Sequence, residues 1–377
     1  MPKYYIISGE PSGDLHASNM MKELLLLDST IEFRFWGGDL MEKVAHQKPT
    51  KHIKDLAFMG FVEVIKNIRT IFKNITFCKQ DILQYNPDVL ILVDYPGFNL
   101  RIADWAKTQN VRVLYYISPT IWAWKENRVE IVKRSCEKMF VILPFEVAVY
   151  KKLGYEADYV GHPLLDAIEQ EKPNLPTREQ FIATNQLDNR PIIAVLPGSR
   201  KQEIHLMFSI MLDVVDEFKE YQFVIAGTTN LPKEAYQPAI DRNVKVVFNQ
   251  TYALMHHAHA GIIKSGTSTL ESALFRLPQV VCYKGGAVSY AIARVVVGDR
   301  VKYIALPNLI MDKPVVKELI QSDLTTANLK EELNRIISGK AREEMLVDYD
   351  SLITLLGNSG ASKKVATEIY NHLHAKK

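Results

Sequence analysis

Short apolar runs of strand length alternate with longer segments of helical periodicity through most of this chain. Nine runs rich in β-branched or aromatic residues are predicted strands: Tyr4–Ser8, Val89–Val93, Val111–Tyr116, Phe140–Leu143, Ile192–Leu196, Phe223–Ala226, Lys245–Phe248, Ala260–Ile263 and Gln279–Cys282. Such alternation is typical of βα units that build parallel sheets. A polar stretch at 169–190 interrupts it, which predicts a connection between two Rossmann-like α/β domains.

The last part of the chain follows a different pattern. From Thr325 onward the strand-like runs cease, and the sequence becomes charged and helical, with Gly339, Gly357 and Gly360 as helix boundaries. Helices without a strand need a surface to cover, which can belong to the first domain or to a second subunit. The expected organisation is a first domain at 1–170, a second domain at 171–340 and a helical tail at 341–377.

Composition and charge limit the class of protein. The 377 residues suffice for two domains, and 47% apolar with 24% charged residues is typical of folded globular chains. A net charge of +3 is small for this length and does not indicate a nucleic acid partner. The three cysteines are far apart and lack a CxxC motif, which favours a reducing compartment and no structural zinc.

The chain shows no pattern of a targeting or membrane-spanning segment. Its N-terminus lacks the apolar core and cleavage site of a signal peptide. No apolar run approaches the roughly 20 residues that span a bilayer. We therefore expect a cytoplasmic protein whose contact with a membrane, if any, is peripheral.

The first predicted strand ends in a glycine-containing turn, Ser8-Gly9-Glu10-Pro11-Ser12-Gly13-Asp14, before a helix predicted from Leu15 to Leu27. Such turns lie outside the carboxyl end of a parallel sheet, where α/β proteins bind ligands. The turn lacks the GxGxxG pattern, so a dinucleotide is not indicated. Ser12 is a substrate-binding candidate and Glu10 a catalytic one. The alternative is a purely structural turn with Asp14 as the helix N-cap.

The second predicted domain opens with a comparable turn, Leu196-Pro197-Gly198-Ser199-Arg200, between a strand and a helix. Gly198 and Ser199 can present backbone N–H groups to an anion, and the planar guanidinium of Arg200 suits phosphate oxygens. The turn therefore predicts a diphosphate site in which Arg200 also stabilises the departing group. The alternative is that Arg200 only pairs with a surface carboxylate.

A second anion turn follows in the same domain, within the stretch from Ile263 to Glu271. Ser265, Gly266 and Thr267 lie where the N-terminal amides of the next helix would face a ligand. Glu271, expected in the first helical turn, could accept the two hydroxyls of a ribose. The simpler alternative is helix capping by Ser268 or Thr269, with Glu271 compensating the helix dipole.

The sequence predicts no metal site. It contains no HExxH motif, no Walker lysine and no clustered ligands, and His256, His257 and His259 fit a helix end. The DxD motif Asp348-Tyr349-Asp350 lies in the helical tail instead of at a strand end. A reaction without metal or cofactor is therefore favoured.

A basic amphipathic helix is predicted from Met59 to Ile75. Apolar residues recur there at steps of three and four, while Lys66, Arg69 and Lys73 occupy another face. The membrane-binding candidates are Phe61, Val64, Ile65, Ile68, Ile71 and Phe72. Docking on an anionic membrane is the functional interpretation, and packing on a core is the structural alternative.

Seven segments of the chain, taken in order, carry a family resemblance. They are Ser8–Asp14, Leu56–Val64, Tyr116–Trp124, Gly161-His162-Pro163, Leu196–Arg200, Lys264–Glu271, and Leu306-Pro307-Asn308-Leu309 with Lys317-Glu318-Leu319. Together they resemble the lipid A disaccharide synthases over nearly the whole chain. Single pieces such as Ser-Gly-Thr-Ser are weak signals, whereas seven in one order are specific.

The resemblance implies a GT-B fold, with two Rossmann-like domains facing a cleft and a helical C-terminal segment. It implies transfer of a 2,3-diacylglucosamine from UDP to the 6-hydroxyl of 2,3-diacylglucosamine 1-phosphate. The anomeric carbon would be inverted, giving the β-1,6-linked lipid A disaccharide and UDP.

The same resemblance implies where the substrates bind. UDP would lie in the second domain near Arg200, Ser265 to Thr267 and Glu271. Asn308, Glu318 and Gln321 would line the same cleft. The first domain would hold the lipid acceptor at the inner face of the inner membrane, and a homodimer could exchange C-terminal helices.

One departure from the family pattern affects the choice of general base. Many relatives read Asp-x-Pro-Asp-Phe-Asn after the strand ending near Val93, whereas this chain has Gly97 in place of the second carboxylate. The base is therefore sought among Glu10, Asp14 and Asp94. Asp94 ranks first because it directly follows an apolar strand, Glu10 ranks second, and Asp14 is assigned to helix capping.

Two other functions stay open at the level of sequence. A UDP-sugar 2-epimerase would use the same fold and similar turns, but it would need no apolar helix. A nucleotide-sugar binding protein would keep the site at Arg200 and Glu271 but would lack carboxylates facing it from the first domain. Glu10, Asp14 and Asp94 argue against that second alternative.

Overall fold

The computed structural model describes residues 1–56, 68–122, 128–286 and 302–375. The chain folds into two compact units, Met1–Asp166 with Asn358–Lys377, and Ala167–Gly357. Each unit is built around its own parallel sheet, as the alternating pattern predicts.

Seven parallel strands form the sheet of the first unit. They are β1 Lys3–Ser8, β2 Glu32–Gly37, β3 Lys51–His52, β4 Val89–Val93, β5 Val113–Tyr116, β6 Lys138–Val141 and β7 Asp158–Tyr159. Their spatial order is β3-β2-β1-β4-β5-β6-β7, so the order reverses between β1 and β4. At this switch point Ser8 pairs with Val93, and the turns after the two strands start side by side.

Helices cover both faces of this sheet. Among the described residues they are α1 Pro11–Leu27, α2 Asp39–Ala45, α3 Ile68–Tyr85, α4 Pro96–Thr108, α5 Arg128–Ser135, α6 Pro144–Lys152 and, last in the chain, α16 Ala361–His374. α7 Pro163–Glu171 spans the boundary between the first and second units. Tyr4 and Ile6 of β1 pack in one core with α1 and α16, whereas Tyr5 and Ile7 pack in the other core. This alternation follows from the two-residue period of a strand.

Six parallel strands form the sheet of the second unit. They are β8 Ile192–Leu196, β9 Gln222–Gly227, β10 Lys245–Phe248, β11 Ala260–Lys264, β12 Gln279–Tyr283 and β13 Lys317–Ile320, in the spatial order β10-β9-β8-β11-β12-β13. The helices among the described residues of this unit are α8 Arg178–Asn185, α9 Lys201–Leu212, α10 Gln237–Ile240, α11 Thr251–His257, α12 Thr267–Leu274, α13 Leu306–Met311, α14 Thr326–Ile337 and α15 Lys340–Leu356. The switch point lies between β8 and β11, where Leu196 pairs with Ile263.

All nine predicted strands form, with ends within two residues of those expected. Four further strands, β2, β3, β7 and β13, are present that the sequence pattern did not predict. Three of these are edge strands, and β3 and β7 have only two residues each. β2 was missed because charged Glu32 and Arg34 interrupt its aromatic run, yet the Arg34 guanidinium is paired with the buried carboxylate of Asp81. The first helix begins at Pro11 and not at Leu15.

The helical tail is divided between the two units. The helical segment expected after Thr325 forms α14, α15 and α16, and the predicted boundary residues Gly339, Gly357 and Gly360 flank these helices with φ of 75°, 80° and 112°. α15 packs in the second unit, where its Tyr349 hydroxyl bonds Gln279 of β12. α16 packs on α1 of the first unit. The chain therefore passes from the first unit to the second after Asp166 and returns to the first after Gly357, whereas the sequence predicted boundaries at 170 and 340.

Asp166 fixes the start of α16. Its carboxylate accepts three backbone N–H groups at distances of 2.5 to 3.1 Å, those of Gly360, Ala361 and Ser362. These are donors that a helix N-terminus leaves without an intrahelical partner. A carboxylate at that position also interacts favourably with the helix dipole, so Asp166 anchors the last helix to the first unit.

Candidate functional site

A cavity of about 450 Å³ lies at the carboxyl edge of the second sheet. Its lining residues are Leu196, Gly198, Ser199, Arg200, Glu203, Ala226, Gly227, Thr228, Thr251, Lys264, Ser265, Gly266, Thr267 and Ser268. The structure therefore brings the two predicted anion turns together on one cavity. Thr228 and Thr251 were not identified from the sequence.

The first turn is fixed by the carboxylate of Glu203, which the sequence pattern did not indicate. Gly198 has φ of 105°, and a Cβ atom there would lie 2.5 Å from Oε2 of Glu203, so the position requires glycine. Glu203 accepts the Ser199 N–H at 3.2 Å. Arg200 is the N-cap residue of α9, its side chain is 58% exposed, and Nη1 lies 3.4 Å from Oε1 of Glu203. Arg200 does pair with a carboxylate, but that carboxylate is part of the cavity.

Lys264 adds a second cation to the cavity. It is the last residue of β11, and its Nζ lies 2.7 Å from Oε1 of Glu203. The side chains of Lys264 and Glu203 are only 19% and 15% exposed. The signal that could have identified Lys264 is its position, because it ends an apolar strand directly before a Ser-Gly-Thr turn at the ligand-binding edge of the sheet.

The second turn leads into α12 without a capping side chain. Ser265 is buried, and its hydroxyl donates to the Ile304 carbonyl at 3.2 Å. Gly266 is the N-cap residue with φ of 153°, and Thr267 is exposed at the first helical position. No described side chain caps this helix, so its first N–H groups are left for a ligand or for water. The capping alternative is therefore wrong for this turn.

Glu271 lies in the second turn of α12, which corrects its expected place in the first. The helix begins at Thr267, so Glu271 is its fifth residue. A helix dipole acts mainly within the first turn, and compensation of that dipole is not the role of Glu271. Its Oε1 accepts the Tyr252 hydroxyl at 2.9 Å. Burial raises the pKa of the Glu271 carboxyl.

Asn308 and Glu318 lie on a neighbouring cavity of about 540 Å³. The Asn308 side chain donates to Oε1 of Glu318 at 2.9 Å, and Glu318 also accepts the Ile304 N–H at 3.1 Å. Because the Ile304 carbonyl holds the Ser265 hydroxyl, this pair is connected to the second anion turn through one residue. Gln321 follows β13 with φ of 55°. None of the three lines the cavity that contains Arg200.

The turn after β1 places three candidates at the edge of the first sheet. Glu10 is the N-cap residue of α1, and its side chain makes no capping hydrogen bond. Ser12 is exposed in the first turn of α1. Asp14 is buried and caps α2 instead of α1, which corrects the predicted N-cap. Its carboxylate accepts the N–H groups of Gly38, Leu40 and Met41 at 2.7 to 3.2 Å.

Asp94 directly follows β4 in an unusual backbone conformation. Asp94 and Tyr95 both have φ of 48°, a region that non-glycine residues rarely adopt. The Asp94 carbonyl accepts the Tyr115 hydroxyl and the Asn99 side-chain amide, each at 2.7 Å. The Tyr95 ring occupies the space that a Cβ atom on Gly9 would need. These contacts hold the turn in place.

The carboxyl group of Asp94 is half-buried beside another acid. Burial, followed by the nearby Glu10 carboxylate, raises the pKa of Asp94 to about 6. Both causes disfavour the charged form. The pairing of β1 with β4 explains why the two acids are neighbours. Gly97 has open space around it, so packing does not require glycine at the position where the family resemblance implies a second carboxylate.

The DxD motif is held within α15. Asp348 pairs with Lys313 at 2.5 Å, Asp350 pairs with Arg276, and Tyr349 is buried. Among the described residues, no cluster of three or more His, Cys, Asp or Glu side chains is placed to hold a metal ion.

The described part of the amphipathic segment begins at Ile68. Phe61, Val64 and Ile65 lie outside the described residues. Ile71 packs against the core of the first unit, whereas Ile68 and Phe72 are 49% and 56% exposed. Helix α3 therefore buries one part of its apolar surface and exposes another. Within the described ranges, no helix combines the length and apolarity needed to cross a membrane.

Comparison with known proteins identifies the family. A family model described as lipid-A-disaccharide synthetase matches residues 4–369. The lipid-A-disaccharide synthase of Geobacter metallireducens is 34% identical, over 99% of this chain and 97% of its own. That of Acidobacterium capsulatum is 35% identical, over 96% of this chain and 93% of its own.

Solved structures share the fold at lower identity. The UDP-GlcNAc 2-epimerase from Neisseria meningitidis bound to UDP-GlcNAc has a TM-score of 0.64 and 16% identity, covering 98% of this chain and 100% of its own. The S. aureus MnaA–UDP co-structure has a TM-score of 0.68 and 14% identity, covering 100% and 99%. The calicheamicin glycosyltransferase CalG4 has a TM-score of 0.63 and 13% identity, covering 100% and 99%.

Such identities show the α/β fold of GT-B glycosyltransferases and of these epimerases, and they do not separate the two activities. The full-length family match and the relatives above 30% identity do separate them. The chain therefore belongs to the lipid-A-disaccharide synthase family, the hexosyltransferases of lipid A biosynthesis.

Proposed function

We propose that this enzyme transfers a 2,3-diacylglucosamine from UDP to the 6-hydroxyl of 2,3-diacylglucosamine 1-phosphate. The anomeric carbon is inverted, and the products are the β-1,6-linked disaccharide and UDP. The observation that carries the proposal is the cavity of the second unit, where two anion turns and the cations Arg200 and Lys264 lie together. Membership of the lipid-A-disaccharide synthase family supports the choice of a lipid A disaccharide as the product.

The donor diphosphate is assigned to this cavity. The N–H of Ser199 and the uncapped start of α12 at Gly266 and Thr267 are donors suited to phosphate oxygens. Negative charge grows on the diphosphate as the glycosidic bond breaks, and the Arg200 guanidinium stabilises it. Two solved structures that share the fold are described as holding UDP-GlcNAc or UDP, which supports the choice of nucleotide.

The remaining donor contacts are assigned around this diphosphate. Glu271 accepts the ribose hydroxyls, with Tyr252 orienting one of its two oxygens. Asn308 and Glu318 act indirectly, since they fix the backbone that holds the Ser265 hydroxyl. Gln321 is left as a contact to the sugar.

Asp94 is the proposed general base, and Glu10 is the second choice. Asp94 takes the proton of the acceptor 6-hydroxyl as its oxygen bonds the anomeric carbon and the bond from that carbon to the diphosphate breaks. A base with a pKa of about 6 is deprotonated at neutral pH yet more basic than an ordinary aspartate. Ser12, exposed beside Glu10, is proposed to bind the polar head of the acceptor.

Helix α3 is proposed to contact the inner face of the inner membrane. Ile68 and Phe72 expose apolar surface, and Arg69 and Lys73 are exposed on the same two turns. Apolar side chains flanked by cations bind anionic lipid surfaces through both burial and charge. The acceptor and the donor each carry acyl chains, so an enzyme at the membrane surface meets them where they reside.

Vesicle binding tests this contact. Replacing Ile68 and Phe72 together with serine should release the protein from anionic vesicles, and high salt should weaken binding of the parent protein. Leu355→Ser is a matched control, because Leu355 is 46% exposed on α15 in the second unit. Unchanged binding of the double variant would show that α3 is not the contact.

A homodimer with exchanged C-terminal helices is the remaining partner proposal. α16 follows a short segment that contains Gly357 and Gly360, both with positive φ, and it packs on α1 through Val365 and Ile369. The same contacts made with α1 of a second copy would give the exchanged dimer. Light scattering of the purified protein tests it, and a mass of one chain at all concentrations would contradict it.

The transfer itself is tested by mass spectrometry. Incubating the purified enzyme with both lipid substrates should give one disaccharide 1-phosphate with four acyl chains and one equivalent of UDP. Detergent should change the rate, because the substrates are lipids. A UDP-sugar isomer formed without acceptor would instead support the epimerase reaction.

A further inference from the structure

One carboxylate of the second unit contacts three groups that can donate hydrogen bonds to an anion. Glu203 accepts the Ser199 N–H through Oε2 at 3.2 Å, while Oε1 lies 2.7 Å from Nζ of Lys264 and 3.4 Å from Nη1 of Arg200. A backbone amide, a lysine and an arginine are the donor types that proteins use for phosphate. All four residues line the same cavity.

Lys264 connects the two anion turns. Its ammonium group bonds the carboxylate that fixes the turn at Gly198. The same Nζ lies 3.7 Å from the position that a Cβ atom would take on Gly266, at the start of α12. A cation in this position is within reach of an anion that contacts either turn. A merely structural ion pair would not need to lie between them.

We propose that Lys264 binds the donor diphosphate and that Glu203 is an internal counter-ion which the diphosphate replaces. This inference rests on the proposed use of a UDP donor. In the ligand-free enzyme Glu203 occupies the place of a phosphate and keeps two cations and one N–H turned toward the cavity. A diphosphate carries more charge and more acceptor oxygens than a single carboxylate, so it competes for Lys264 and Arg200.

The test is the dissociation constant of UDP, measured by calorimetry on the full-length enzyme. Lys264→Met should weaken UDP binding about tenfold or more, whereas Lys264→Arg should stay within about threefold of the parent. Glu203→Gln keeps an oxygen for the Ser199 N–H but removes the competing charge, so it should tighten UDP binding severalfold. The affinity of Glu203→Gln for UDP should also depend more steeply on salt concentration than that of the parent.

Three controls make the result specific. Uridine lacks the diphosphate, so its affinity should be the same in all variants. Lys330→Met removes an equal charge from an exposed pair with Glu217 in the same unit and should leave UDP binding unchanged. Melting temperatures show whether each variant is folded, and Lys264→Gln, which also removes the positive charge, replaces Lys264→Met if that variant is not folded.

The outcomes separate this inference from the donor assignment. If the parent binds no UDP, the proposed donor is wrong and the role of Lys264 fails with it. If the parent binds UDP but Lys264→Met binds it equally well, the inference alone fails. Weaker UDP binding in Glu203→Gln would show that Glu203 supports the site and does not compete for it.

Discussion

The two sheets carry opposite charges at the same structural positions. In the first unit the turns after β1 and β4 contribute the carboxylates of Glu10 and Asp94. In the second unit Arg200 lies in the turn after β8, and Lys264 ends β11. Both pairs lie at the point where the strand order reverses. One backbone framework therefore presents carboxylates in one unit and cations in the other.

The two regions also differ in how their charges are balanced. Arg200 and Lys264 share the opposite charge of Glu203. Asp94 instead has a like charge as its neighbour, and its backbone is held in the left-handed region by Tyr115 and Asn99. An unfavourable arrangement that the surrounding structure enforces is a common mark of a catalytic group. An arrangement in which opposite charges are paired is typical of a binding site where the ligand replaces the internal counter-ion.

Of the changes that test this comparison, neutralising Asp94 should have the largest effect on turnover. Asp94→Asn should lower turnover at saturating substrate by 10² to 10⁴, the usual contribution of a general base, and should abolish the acidic limb of the pH profile. Glu10→Gln should keep that limb and move it to lower pH, because the Glu10 charge helps to raise the pKa of Asp94. If Asp94→Asn keeps the limb and Glu10→Gln loses it, the two roles are reversed. A limb kept by both variants means that the proton leaves by another route.

Removing the Arg200 side chain tests the role of the cations in the second unit through turnover. Arg200→Ala should lower turnover about a hundredfold, since a charge-assisted contact to the leaving diphosphate strengthens as the bond breaks. Arg200→Lys keeps the charge without the planar fork and should fall between the parent and the alanine variant. Near-normal turnover of Arg200→Ala would remove the role assigned to it.

Chelator treatment completes that test of the second region. EDTA should leave the rate of the parent unchanged, because the cations of the cavity are expected to balance the diphosphate. Strong inhibition that is reversed by added Mg²⁺ would show that a metal shares this task.

A smaller effect on stability should accompany the loss of activity at Asp94. The folded pKa of about 6 lies above the ordinary value of 3.8, so folding favours the protonated form. The stability that protonation contributes is fully present below pH 3.8 and is lost as pH rises through 6. The free energy of unfolding of Asp94→Asn should therefore be about 2 to 3 kcal/mol higher than that of the parent at pH 7.5, and the two should be equal near pH 3.5.

A surface carboxylate provides the control for this measurement. Asp323→Asn changes an exposed residue and should alter the unfolding free energy little at either pH. If Asp94→Asn behaves like this control at pH 7.5, the Asp94 carboxyl is not held in an unfavourable environment.

The sequence predicted most of the framework because the central strands are apolar over their whole length. Val89–Val93 and Ile192–Leu196 are buried on both faces of their sheets, and their ends were predicted to the residue. Edge strands such as β3 and β7 carry no such signal, since two residues cannot show a period. The division of the helical tail depends on which surface each helix covers, and only the folded structure shows that.

The turns of the candidate site could be predicted from the sequence, but the side-chain hydrogen bonds and ion pairs could not. Strand ends followed by glycine indicated Ser199, Arg200, Ser265 and Gly266 because the backbone itself forms the anion site there. Glu203 escaped notice because it lies inside a helix, four residues beyond the N–H that it accepts. Asp14 was assigned to the wrong helix for a different reason, because its partners at the start of α2 are more than twenty residues away in the sequence.

The most direct test of the opposed roles is the affinity for UDP in two variants, measured by calorimetry without acceptor. Asp94→Asn should bind UDP within about twofold of the parent, because the acid serves proton transfer. Arg200→Ala should bind it at least about tenfold more weakly, because the cation holds the diphosphate. Equal losses in both variants, or a loss confined to Asp94→Asn, would contradict the assignment of proton transfer to one unit and diphosphate binding to the other.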